Sequence, residues 1–163
     1  MKVCILTTSF PRHPGDYAGN FVLQLAEALA EEGAKVQVVA PGERGLPQRQ
    51  RFGPVAVEHF SYFWPRRWQR VAYLGGIPSN LRRYRLAWLQ LPFFLFFFLL
   101  QSRRACRDCD VIHANWISAG LPGAILSRRF DKPLVLTVHG SDVNLQANNR
   151  ILNSVRSFVL DRT

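Results

Sequence analysis

Two kinds of hydrophobic spacing alternate along the chain. Lys2 to Thr8 is a short apolar run of β-forming residues, the pattern of a strand buried on both faces. A loop follows from Ser9 to Ala18, carrying Pro11, Pro14 and Gly15. From Gly19 the spacing turns helical: Phe21, Val22, Leu25, Ala26 and Leu29 recur every three or four positions, and Gly33 stands where a C-terminal cap is expected. Lys35 to Ala40 reads as a second strand, closed by Pro41-Gly42. Together these pieces make one strand, helix, strand unit, of the length that a right-handed parallel crossover needs.

The unit recurs. Asp110 to His113 reads as a strand, Ala119 to Arg129 as a helix, Lys132-Pro133 as a turn, and Leu134 to His139 as another buried strand. Between the two units Val55 to Phe60 predicts one more strand, and Asn148 to Leu160 predicts a closing helix. Alternation of this kind implies an α/β fold, a Rossmann-like parallel sheet with helices on both faces. Residues 1–163 are expected to form one such domain, incomplete at its C-terminus because no closing turn or strand follows the last helix.

Composition sharpens this picture in one place. At 163 residues and 18.6 kDa there is room for one domain, and 48% hydrophobic with 20% charged residues is a globular balance. The net charge of +10 is local: between Arg44 and Arg107 twelve arginines face a single acid, Glu58, a balance of +11 against −1 elsewhere. Such an excess points to an anionic partner reached by that segment. Residues 61–107 accordingly read as a basic, aromatic, helical insertion within the domain. Its greasiest part, Leu86 to Leu100, is too short at about 1.5 Å per residue to cross about 30 Å of hydrocarbon upright. Pro92 is expected to divide the stretch into two helices, Asn80 to Leu91 and Phe93 to Arg104. Three scattered cysteines make no disulfide framework, and the first apolar run is too short for a signal peptide, so a cytoplasmic location is expected.

The candidate chemistry gathers at strand ends, where open parallel sheets bind ligands. In the loop after the first strand, Gly15, Gly19 and Asn20 are placed to present backbone N–H groups and a helix N-terminus to an anion; the plainer reading is that Gly15 turns the chain and Gly19 starts the helix. The G-x-G-x-x-G spacing of dinucleotide sites is missing. The second constellation joins Asp110 to Trp116 with Thr137 to Asp142. It would bring His113 and His139 to one edge, with Asn115, Ser141 and Asp142 beside them. A structural role is the alternative for each histidine. Cys106 and Cys109 with His113 offer too few ligands for structural zinc, so no metal and no cofactor are expected. For the basic segment three readings stand: nucleic acid bound by interleaved Trp, Tyr and Arg; an anionic membrane surface; or a buried helix with a solvated arginine face.

Three stretches carry a family resemblance: Thr8 to Phe21, Asp110 to Trp116 and Pro133 to Asp142. Together they resemble the amino-terminal half of retaining glycosyltransferases of family 4, enzymes with two Rossmann-like domains facing a cleft, the GT-B fold. The resemblance implies an acceptor-side domain of a metal-independent hexosyltransferase acting in polysaccharide or glycolipid synthesis. Its partners would be a nucleotide-sugar donor, held mainly by a second domain, and a sugar or lipid-linked acceptor. It places Gly19, and with it Gly15, by the donor diphosphate, and His139 near the transferred sugar. This chain departs from the family pattern at Ala18-Gly19, where paired glycines are frequent, and at Asn115, where a second histidine is common. With no donor half in these residues, the chain alone is expected to be inactive. The alternative function is a non-catalytic basic α/β module that docks on anionic membrane or nucleic acid.

Overall fold

A computed structural model describes residues 1–139 of the chain. Six strands form one sheet in the order β3-β4-β2-β1-β5-β6. They are β1 (Lys2–Thr7), β2 (Lys35–Pro41), β3 (Arg49–Phe52), β4 (Val55–Phe60), β5 (Val111–Asn115) and β6 (Leu134–Thr137). All neighbours pair in parallel except β3 with β4. The doubly wound fold expected from the alternation is therefore present.

Strands buried on both sides carry apolar residues at every position, which is why they were readable. From β1, Val3 and Ile5 enter one core with Val22 and Ala26 of helix α1 (Asn20–Glu31). Cys4 and Leu6 enter the other, with Phe94 and Phe98 of α3 (Arg85–Asp108) and Ala119 and Ala124 of α4 (Ile117–Phe130). Helix α4 lies close on the sheet because Gly123 leaves no side chain in the way: a Cβ there would stand 3.1 Å from Leu134 and 3.4 Å from Ala114. Strand β3, Arg-Gln-Arg-Phe, escaped the sequence reading because it is a polar edge strand with no apolar run.

The Pro92 expectation needs correction. The helical stretch breaks at Tyr84, whose extended backbone separates α2 (Ile77–Arg83) from α3, and α3 runs unbroken through Pro92. Pro92 sits on the exposed side, where ladder hydrogen bonds are already weakest, so losing one there does not end the helix. At 24 residues α3 is about 36 Å long, enough by length and hydropathy to cross a bilayer. Its inner face, however, packs on β1, β2, β4 and α4.

Between β4 and α2 the chain is held by buried amides. Gln69 accepts from the Tyr62 N–H at 2.9 Å and donates to the Gly42 carbonyl at 2.9 Å. Gln90 accepts from the Arg70 N–H and donates to the Trp68 carbonyl, while Asn80 donates to the Tyr73 carbonyl at 2.6 Å. Three side chains thus satisfy a loop that has no ladder of its own. The expected helix Asn148 to Leu160 lies outside the described residues.

Candidate functional site

Strand order locates the site. The chain leaves β1 for β2 on one side and later fills β5 and β6 on the other, so the direction reverses between β1 and β5. In open α/β sheets that reversal opens a crevice at the carboxyl ends of the two strands. Here the crevice is bounded by the loop after β1 and by Asn115, Trp116 and His139 after β5 and β6.

The first loop is longer than the usual 2 to 6 residues of about that class, and it is clamped. Asp16 accepts from the Arg12 backbone N–H at 3.0 Å, from its Nε at 2.6 Å and from the Ala18 N–H at 3.1 Å. Arg12 also reaches Glu43 at 2.6 Å and lies over the ring of Tyr73. The Arg12 guanidinium, ahead of the backbone donors, holds the Asp16 carboxyl well below the usual carboxylate range.

Gly19 is left-handed at φ 66°, and a Cβ there would collide with the Ser9 carbonyl, standing 2.6 Å from its carbon. Only glycine lets the helix start this close to the strand end. Its backbone carbonyl accepts from the Val22 N–H at 2.9 Å, and Asn20 opens α1. Gly15 is also left-handed, at φ 84°, but has open space around it. Gly15 thus serves a turn, whereas Gly19 serves a close approach.

At the other wall the four polar residues lie on two levels. His113 is paired in register with Val135, and Asn115 with Thr137, so His139 stands two residues beyond the last rung. His113 is half-buried within β5 and bonded to Thr137 Oγ1 at 2.7 Å, one level below the Asn115–His139 pair. Burial, with a smaller contribution from His139, pushes the His113 imidazole below its ordinary value, favouring the neutral ring. Nearer the mouth, His139 Nε2 donates to Asn115 Oδ1 at 3.3 Å. Asn115 is 1% exposed, and its Nδ2 has no hydrogen-bond partner.

Sequence reasoning missed three features of this wall. Thr137 holds His113. Phe21 and Trp116 flank the His139 ring, with centroids 4.7 and 4.5 Å away. Trp116 itself has φ 69°, a strained value for a bulky residue, held by its N–H to the Thr137 carbonyl and by its own carbonyl accepting from Ala119 and Gly120. No single-residue signal reveals these, because each depends on which strands become neighbours. Ser141 and Asp142 lie outside the described residues. Among the described residues, no group of three or more His, Cys, Asp or Glu is placed to hold a metal.

Comparison with known proteins adds the following. The profile of Glycosyltransferase Family 4 matches residues 18–163. Sucrose-phosphate synthase from Thermosynechococcus elongatus superposes with a TM-score of 0.66 at 19% identity, over 98% of this chain and 40% of that one. A second structure of that enzyme covers 100% of this chain and 73% of its own, with a TM-score of 0.59 at 18% identity. Trehalose-6-phosphate synthase from E. coli, bound with UDP-2-fluoro glucose, gives a TM-score of 0.56 at 11% identity over 98% of this chain and 38% of that one. At these identities the likeness is one of fold. The chain spans about two fifths of the full-length structures it matches. No curated protein matches it.

Proposed function

This chain belongs to glycosyltransferase family 4, and from that premise we propose that it is the acceptor-side half of a retaining, metal-independent hexosyltransferase that uses a nucleotide sugar. The observation that carries the reading is the meeting of the first turn of α1 with the end of β6. Phe21, two residues after Gly19, packs on His139 across the strand-order reversal. That contact draws the Gly19 loop and the Asn115–His139 pair into one crevice.

The chemistry follows from charge and position. In transfer, the bond from the anomeric carbon to the diphosphate breaks, an acceptor oxygen bonds to that carbon, and the acceptor proton leaves with the departing diphosphate. Negative charge therefore develops on the diphosphate, and the positive end of the α1 dipole, which begins just after Gly19, is placed to stabilise it. The Asn115 carbonyl uses the Nε2 proton of His139 and so fixes the ring's orientation toward the transferred sugar. The His139 ring, held by the buried Asn115 side chain, supplies the hydrogen-bonding group for sugar hydroxyls. A second, donor-binding domain holds the nucleotide, since reaction requires donor and acceptor in near-attack geometry. The acceptor class is a growing polysaccharide or glycolipid, and the enzyme works in the cytoplasm.

The test is transfer of labelled sugar from a panel of nucleotide sugars, by the isolated chain and by a protein joining this domain to a family 4 donor half. Product is expected only from the joined protein. Robust turnover by the isolated chain would overturn the acceptor-half reading.

A further inference from the structure

Helix α3 has two faces of opposite purpose. Taking about 100° per residue, Leu86, Leu89, Phe93, Phe96, Phe97 and Leu100 fall within a sector of about 120°. All six are exposed, Leu89 by 62% and Phe96 by 59%. The opposite face buries Phe94 and Phe98 at 0%. A helix that only covered a sheet would turn polar residues outward, and this one presents an apolar stripe along about 21 Å of its length.

What flanks the stripe identifies what covers it. Arg85 lies in the same sector at its start, with Arg82 and Arg83 just before, and Arg103, Arg104 and Arg107 continue the sector at its end; all six are exposed. No acid occurs from Ser61 to Arg107. Three exposed tryptophans belong to the helix or to the loop held on it by the Phe63–Phe93 ring contact and the Gln90–Trp68 hydrogen bond. Trp88 is 60% exposed, Trp64 is 86% exposed, and Trp68 is tied to α3 through its carbonyl and Gln90. An apolar stripe bracketed by arginine and bordered by tryptophan matches the depth profile of an anionic bilayer surface, with acyl chains at the middle and headgroups at the edges. Crossing is ruled out by the inner face, which holds the domain core.

We infer that the outward face of α3, with Trp64 and Trp68, is a seat for an anionic lipid bilayer. The helix lies in the plane of the interface, and the loop that follows β4 at the carboxyl edge of the sheet touches the same surface. The acceptor crevice then opens beside the membrane, which makes a lipid-linked acceptor the fitting substrate. This last step rests on the proposed function; the bilayer contact does not, because it is read without any sugar transfer.

Co-sedimentation of the 163-residue chain with vesicles tests it, using phosphatidylcholine alone and with about 30 mol% phosphatidylglycerol, at low and high salt. Binding is expected to be more than about tenfold tighter to the anionic vesicles and to weaken with salt. Replacing Arg82, Arg83 and Arg85 by Gln should weaken it by about fivefold per arginine. The pair Leu89→Ser with Phe96→Ser should abolish it, with circular dichroism and the melting midpoint unchanged because these are the most exposed apolar side chains of the stripe, at 62% and 59%. Three results would overturn the inference: a folded chain that ignores anionic vesicles at low salt; undiminished binding by the serine pair; or a dimer in light scattering that the serine pair splits, which would make a second copy the occupant. Failure here would leave the crevice and its chemistry as argued.

Discussion

The two ends of the sheet hold different kinds of polar residue. At the amino end, on the α3 face, an open groove of about 580 Å³ is lined by Gln37, Arg49, Arg51, Glu58, Arg104 and Asp108. There Arg49 pairs with Glu58 at 3.0 Å, Glu58 also accepts from Gln101, and Asp108 pairs with Arg107. At the carboxyl end the groups are held under constraint. Trp116 is strained, Gly19 is pressed on Ser9, Asn115 keeps a buried N–H without a partner, and His113 is biased toward its neutral form. Left-handed backbone also occurs at Tyr73, Leu74 and Asp131, and buried unpartnered atoms at His59, Asn80 and Ser102, but at the carboxyl end Trp116, Gly19 and Asn115 bring such features together around one crevice.

Mutations at the two ends should therefore behave differently. The largest effect is expected at Gly19→Ala, where the new methyl meets the Ser9 backbone and φ is positive; a loss of about 3 kcal/mol or more should appear in denaturant unfolding. Gly15→Ala, with the same backbone sign but open space, should cost about 1 to 2 kcal/mol. If the two cost the same, the close approach at Gly19 is not what holds the loop.

Next in size is the pH response. Burial holds His113 and His59 below the ordinary histidine value of 6.5. Below pH 6.5 the unfolded chain binds protons that the folded chain refuses, so stability should fall as pH drops from 6.5 toward the folded values. His113→Gln should flatten part of that slope in a series of melting midpoints. Asp16, held below the usual carboxylate range, contributes stability above about pH 4 that is lost on further acidification. Asn115→Leu removes a buried unpaired N–H but also the acceptor of the His139 Nε2 proton, two opposing effects that should keep the net change within about 1 kcal/mol. Smallest of all, Arg49→Ala at the amino end should change stability by no more than about 0.5 kcal/mol, the pair being largely solvent-screened.

How much of this was legible in the sequence depends on how local each feature is. The central strands were readable because burial on both faces forces runs such as Val3 to Leu6, and Val55 to Phe60 was placed to the residue. Strand β3 was not, because a polar edge strand has no burial pattern to display. Pro92 misled because its effect depends on whether the lost bond faces core or solvent. The positions of Gly19, Asn115 and His139 were legible because Gly19 caps a helix and the other two stand at or just past the carboxyl ends of strands. The Arg12–Asp16–Glu43 clamp, the Thr137 partner of His113 and the backbone of Trp116 arise from elements far apart in the chain. Periodicity carries no information about such meetings.

The account stands on one claim, that the crevice between β1 and β5 handles the sugar. Its most direct test measures transfer rate and melting midpoint together for His139→Ala in a two-domain protein carrying this domain. The rate should fall about a hundredfold or more with the midpoint unchanged. Undiminished transfer, or a loss of rate that follows a loss of stability, would contradict it.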